Sequence, residues 1–261
     1  MFRNIWQYRQ FIFSSIRNEL VLRFTRSKMG GLWMIIHPLS QVAIYALIFS
    51  NLMAGRLQGA GNKYAYTFYL MAGLLGWTLF NEIISRCLNL FIENGNLMKK
   101  VNFPRITLIC IMIGSCLLNN IMLLTAILGI FALLGHNFSI VILLIVPLTL
   151  TVVVLAAGIG LILGITNVFM RDIGQIMPII LQIWFFLTPI VYPESIIPAH
   201  YRQLMNLNPM YTIIASYHQI LAYNSVPQLK NIAIIAAISL ALAAISLFMF
   251  RRASSDIVDV L

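Results

Sequence analysis

The sequence predicts an all-α integral membrane protein with six transmembrane helices and both termini in the cytoplasm. Three observations carry this prediction. Of 261 residues, 61% are hydrophobic and only 9% charged, with a mean hydropathy of +0.91, whereas a soluble domain carries about a quarter charged residues. The apolar residues fall in runs of about 20 or more, the length a helix needs to cross a bilayer. The 17 lysines and arginines behind the net charge of +10 sit at the ends of those runs. That placement argues against a nucleic-acid surface and marks topology beside anionic lipid.

The whole chain reads as one transmembrane domain, opened by a cytoplasmic segment over residues 1–29. Within it, residues 2–26 suit a helix lying on the membrane. Ile5, Tyr8, Ile12, Ile16 and Leu20 share one side, and Arg3, Gln7, Gln10, Ser14 and Arg17 the other, the pattern of an interfacial amphipathic helix. Six Lys/Arg among the first 28 residues leave no uninterrupted apolar stretch, so an uncleaved first span is expected rather than a cleavable signal peptide. Gly30-Gly31 breaks the helix, and spans follow at 33–53, 64–90, 106–134, 138–169, 173–192 and 229–250.

The connections carry their own signals. A glycine-rich polar stretch at 54–63 suits an exposed loop, and 91–105 interrupts the hydrophobicity with charge, glycine and proline. Glu82 and Arg86, spaced i,i+4 at the inner end of the second span, are expected to pair. Gly158, Gly160 and Gly164 predict close helix–helix approach in the fourth. Pro178 and Pro189 are expected to kink or break the fifth. Residues 193–228, divided by four prolines, predict short helices at or re-entering the outer interface. With the N-terminus inside, 13 of the 17 basic residues fall on the cytoplasmic side, which sets the orientation.

Catalytic chemistry is not expected. There is no GxxxxGK[ST] loop to cradle phosphates, and only Asp256 and Asp259, in the tail, bring carboxylates together. His37, His136, His200 and His218 are scattered, and Cys87, Cys110 and Cys116 lack pair or metal spacing. Neither a metal site nor a bound cofactor is predicted. The mid-membrane polar residues are mainly Asn119, Asn120, Gln175 and Gln182, which argues against ion coupling and for energy supplied from elsewhere. Aromatic residues, by contrast, cluster in the first, second and fifth spans: Tyr45, Phe49, Phe68, Tyr69, Trp77, Phe80, Trp184, Phe185 and Phe186. They suit a wall along which sugar rings slide, and equally core packing or an interfacial belt.

Five blocks in order resemble the permease subunits of polysaccharide ABC exporters, the Wzm, TagG and capsule-export type. They are RFTRSKMGGLWMIIHPL (23–39), NLMKKVNFPR (96–105), NVFMRDIG (167–174), TPIVYP (188–193) and NLNPMY (206–211). The family exports O-antigen, capsule or teichoic acid. The resemblance implies a homodimer forming a channel for a lipid-linked polysaccharide, O-antigen favoured, in the bacterial inner membrane. It also implies a separate cytoplasmic ATPase subunit in two copies, holding ATP and Mg. The loop at 91–105 would then be the coupling element, with Glu93, Asn96, Leu97, Met98, Lys99, Lys100, Phe103, Pro104 and Arg105 at the ATPase. Arg23, Arg26, Lys28 and Trp33 would lie at the substrate entry, where attraction to anionic membrane lipid explains the same charges. Tyr45, Phe49, Phe68, Tyr69, Trp77, Trp184, Phe185 and Phe186 would line the channel. Pro189, Tyr192, Pro193, Asn208 and Pro209 would belong to the outer gate. Two other readings remain: an ABC permease for a drug, haem or lipo-oligosaccharide, and a membrane enzyme on isoprenoid-linked sugars.

Overall fold

The computed structural model describes residues 6–25, 29, 32–53, 64–100, 104–198, 200, 204–253 and 257. Every regular element among them is helical. In chain order they are α1 (Arg9–Thr25), α2 (Trp33–Met53), α3 (Ala65–Glu93), α4 (Gly95–Lys100) and α5 (Ile106–Leu133). A 3₁₀ turn (Ile140–Leu144) leads into α6 (Ile145–Phe169), followed by α7 (Asp172–Leu187) and a second 3₁₀ turn (Glu194–Ile196). Then come α8 (Pro209–Tyr217), a π-helical turn (His218–Ala222) and α9 (Leu229–Ala253).

Among the described residues four helical segments are long and apolar enough to cross a membrane: α3, α5, Ile140–Phe169 and α9. The apolar parts of α2 (Ile35–Ile48) and α7 (Asp172–Leu187) are shorter. The bundle is organised around α3, of whose apolar window 78% is buried, against 17% for α9. A helix buried all round is a core helix; α9 keeps Ile234, Ile238, Leu240 and Phe248 exposed, as suits a lipid-facing or partner-facing element. The most extensive packing joins α3 to α6 and α6 to α9.

Glycines make that packing close. A Cβ on Gly164 would lie 2.3 Å from the Cys87 carbonyl oxygen of α3. Side-chain adjustment cannot relieve a clash with backbone, so Gly164→Ala is expected to cost roughly 1–3 kcal/mol and lower the melting temperature in detergent. Gly129→Ala in α5, where nothing stands within 4 Å, should leave it level or raise it. Equal behaviour of the two variants would refute this packing.

Several local expectations change. The helix of the fifth span runs through Pro178 and stops at Leu187, short of the expected 192. Thr188 turns extended (φ −105°, ψ 131°), and Pro189, lacking an N–H, follows it. The second span overruns its expected end at 90 by three residues, to Glu93. The turn after α5 is a helix cap: Gly135, at φ 77°, lets the His136 N–H reach the Phe131 carbonyl at 2.9 Å and its own N–H reach Ala132 at 3.1 Å, closing a Schellman motif. Finally, α1 is not merely a surface helix. Ile12 and Ile16 are both only 8% exposed, and α1 packs along α5, with Ile16 against Gly114.

Candidate functional site: an aromatic and amide-lined cleft

Helices α2, α3, α5 and α7 enclose a cleft of about 680 Å³. Tyr45 of α2, Trp77 of α3, and Phe185 and Phe186 of α7 supply its aromatic wall. These rings are linked through Phe185. Phe185 stacks on Tyr45 at 6.2 Å, meets Trp77 edge-on at 5.6 Å and meets Phe186 at 5.2 Å. Trp77 continues to Phe80 at 5.5 Å, and Phe80 to Trp184 at 5.1 Å. Offset and edge contacts of this kind are favourable aromatic geometry. The rest of the cleft wall is mixed: Gln41, Asn81, Glu82, Asn119, Asn120 and Gln182 stand among apolar residues such as Leu79, Leu123, Pro178 and Leu181.

Of the expected channel residues, the structure therefore gathers Tyr45, Trp77, Phe185 and Phe186 on one cleft and links Trp184 through Phe80. Phe68 and Tyr69 go elsewhere. Phe68 packs on Phe131 (4.6 Å) and His136 (4.7 Å), and Tyr69 stacks on His218 at 3.6 Å. The Phe49 side chain lies outside the described residues.

A polar network, of which the sequence foretold only the Glu82–Arg86 pair, sits beside the cleft. The Arg86 Nη2 donates to Glu19 Oε1 at 2.7 Å, while Glu82, its expected helix partner, stands 3.8 Å from Nη1. The i,i+4 pair thus exists but is the weaker contact, because a carboxylate on α1 reaches the guanidinium more directly. Ser115 of α5 donates to the other Glu19 oxygen at 2.6 Å, and Asn119 Nδ2 donates to Glu82 at 2.5 Å. Three elements are tied by one cluster. The available signal was Glu19 itself, an acid on the same face as Ile12 and Ile16 in a basic helix.

Among the coupling residues, α4 presents Asn96, Leu97 and Lys99 outward and buries Met98 (7% exposed). Glu93 is exposed, and Pro104 and Arg105 are half-buried. Phe103 and the Lys100 side chain lie outside the described residues. So do the side chain of Arg23, and Arg26 and Lys28 entirely; Trp33 is 54% exposed at the start of α2.

The proline-rich segments are interlocked. Asn208 caps α8 by accepting from the Met210 N–H at 3.0 Å, with Pro209 at the first helical position, where a missing N–H costs nothing. The same oxygen accepts from Trp184 Nε1 at 2.8 Å, and its amide donates to Thr188 Oγ1 at 3.0 Å. The Tyr69 hydroxyl bonds the carbonyls of Pro189 (2.9 Å) and Tyr192 (3.0 Å). Pro193 is buried and lines a smaller cavity of about 250 Å³ with Tyr69, Glu194 and His218. Burial lowers His218 to about 3, opposed by a hydrogen bond to the Tyr69 backbone, so the ring is neutral. Asn167 fastens the turn after α6: its amide donates to the Leu88 carbonyl (2.9 Å) and its oxygen accepts from Gly174 N (2.7 Å). Among the described residues no group of three His, Cys, Asp or Glu side chains is placed to hold a metal ion.

Comparison with known proteins adds a relationship to this geometry. Residues 10–222 match the family described as ABC-2 type transporter. The chain is 28% identical to an O-antigen export system permease protein of Myxococcus xanthus, over 96% of this chain and 95% of that one. It is 28% identical to one of Klebsiella pneumoniae, over 93% and 92%. It is 24% identical to a polysialic acid transport protein of Escherichia coli, over 75% of each.

Proposed function

The chain belongs to the ABC-2 type transporter family, and we propose that it is the channel-forming membrane subunit of an ATP-driven exporter of a lipid-linked polysaccharide. The observation that carries this is the linked aromatic wall of Tyr45, Trp77, Phe185 and Phe186, in a chain that aligns with O-antigen export permeases along nearly its whole length. Aromatic faces hold sugar rings by stacking without fixing one residue in place, as a sliding polymer requires.

In this reading α2 and α7 complete six spans with the four longer segments, and the basic residues keep both termini in the cytoplasm of the inner membrane. Two copies pair, each docked on an ATPase subunit that holds ATP and Mg. Segment 91–105 receives the ATPase stroke, and the interlocked 188–211 region forms the outer gate. The chain itself catalyses no reaction. A capsule polymer is the second reading, favoured by the alignment with polysialic acid transport proteins. Deleting the gene should strip one polymer from the cell surface and accumulate its lipid-linked form inside. An unchanged surface, or transport without any ATPase, would overturn the proposal.

A further inference from the structure

We infer that Asn208 is a positioning residue: its amide holds the first turn of α8 to Trp184, and displacement of that ring by the polymer frees the turn. This deepens the proposed function and rests on it, because that function places the polymer at the aromatic wall.

One amide joins α7, the extended residue after it and α8. Asn208 Oδ1 accepts from the Met210 N–H at 3.0 Å and from Trp184 Nε1 at 2.8 Å. Its Nδ2 donates to Thr188 Oγ1 at 3.0 Å, and that hydroxyl donates to the Trp184 carbonyl at 2.9 Å. An indole N–H only donates, and so does a backbone N–H. The oxygen must therefore face both, which fixes the orientation of the amide. A helix cap needs just the bond to Met210, and serine or aspartate would supply it as well. The bond to Trp184 is additional, and it ties one element to another.

Trp184 has its other contact on the wall. Its ring meets Phe80 edge-on at 5.1 Å, and Phe80 meets Trp77 at 5.5 Å. Trp77 lines the cleft together with Phe185. Closely packed rings transmit a displacement rather than absorb it. The ring also has room to move. Trp184 and Asn208 line a second cavity of about 790 Å³, bounded by Ile180, Ile183, Leu187 and Leu204. A tilt toward that space stretches the 2.8 Å bond past hydrogen-bonding range.

The nine residues of α8 run from this cap into the π-helical turn at His218–Ala222, a type of turn concentrated at functional sites. The residues before the outer segment are held separately. The Tyr66 hydroxyl donates to the Val191 carbonyl, and the Tyr69 hydroxyl to those of Pro189 and Tyr192. Tyr211 of α8 hydrogen-bonds Glu194, within the outer segment itself. The contact at Asn208 is the one of these that ends on the aromatic wall.

The test follows Thr212, half-buried on that first turn in a polar cavity of about 190 Å³ with Glu194 and Tyr211. Thr212→Cys in the full-length chain, held in lipid nanodiscs, is labelled with a small cationic methanethiosulfonate. The chain without this change gives the background of Cys87, Cys110 and Cys116. Trp184→Phe keeps a ring and removes the donor; Asn208→Ser keeps a cap and withdraws the reach to Trp184. Each should speed labelling about tenfold, as the loss of one hydrogen bond allows. Combining them should be no faster than either alone, because both break the same bond. Asn208→Asp keeps both acceptor contacts and should restore the native rate. Trp184→Phe leaves α8 untouched, so the inference stays testable if Asn208→Ser folds poorly. Native rates in both variants, which a mere helix cap would give, or additive effects in the pair, would overturn it. In cells, the Thr212→Cys chain should label faster while polymer is made than when its synthesis is blocked, and Trp184→Phe should label fast in both. Equal rates with and without polymer, in cells whose surface polymer needs the gene, would overturn the release. The export reading fails separately, by an unchanged cell surface on deletion, and the nanodisc rates then judge the bond by itself.

Discussion

Arg86→Ala is expected to lower the melting temperature of the purified protein sharply and to abolish surface polymer. Arg86 joins α3 to Glu19 of α1 at 2.7 Å and to Glu82 at 3.8 Å, while Ser115 of α5 holds the second Glu19 oxygen. Removing the guanidinium takes the Arg86 charge away from both carboxylates. A fully buried pair broken this way costs about 3–5 kcal/mol. The side chains here are 26–29% exposed, so roughly 2–3 kcal/mol is expected. Arg86→Lys should recover only part, because an ammonium cannot present a fork to two carboxylates. Neutralising both sides, Glu19→Gln with Arg86→Gln, should cost less than Arg86→Ala alone. An Arg86→Ala protein as stable as the native chain, or a double variant worse than the single, would remove the network from the account.

That network also marks where sequence reasoning ran out. The long spans were legible because uninterrupted apolar runs report a bilayer-sized helix directly, and α3, α5, Ile140–Phe169 and α9 fall where the runs predict. The i,i+4 spacing of Glu82 and Arg86 was legible for the same local reason. Glu19 was not, since 67 positions separate it from Arg86 and no periodicity encodes a contact between helices. The expected bound at 192 overran α7 because Ile190, Val191 and Tyr192 continue the apolar run, but the break expected at Pro189 is there: the helix stops at Leu187, just before Thr188 and that proline. Phe68 and Tyr69 show a further limit. The polar residues of α3 that line the cleft, Thr78, Asn81, Glu82 and Ser85, begin only after Trp77, and the buried apolar stretch before them has no charged or amide side chain to show which aromatic looks at the cleft. Trp77 does so, while Phe68 and Tyr69, nine and eight residues earlier, pack on His136 and His218.

Reversing the charge of α4 with Lys99→Glu and Lys100→Glu is expected to cut surface polymer to about a tenth or less while leaving insertion and thermal stability near normal. In the proposed function this helix docks on the ATPase, and its exposure suits that role. Met98 anchors it inward at 7% exposure, while Leu97 is 41% exposed and Glu93, Asn96 and Lys99 face outward. Outward charges around one apolar side chain resemble a small interface with a central anchor and a polar rim. Reversing two charges changes the sign of the local field, and like charges brought face to face cost several kcal/mol at an interface. If the proposed ATPase docks here, the effect should appear as its loss on co-purification, whereas Met98→Ala should act through stability instead. Stability separates the two cases, because exposed charges contribute little to folding and a buried methionine contributes much. An ATPase that still docks on the double-glutamate variant, or a tag at 95–100 reached from outside the intact cell, would place the energy input somewhere other than this helix.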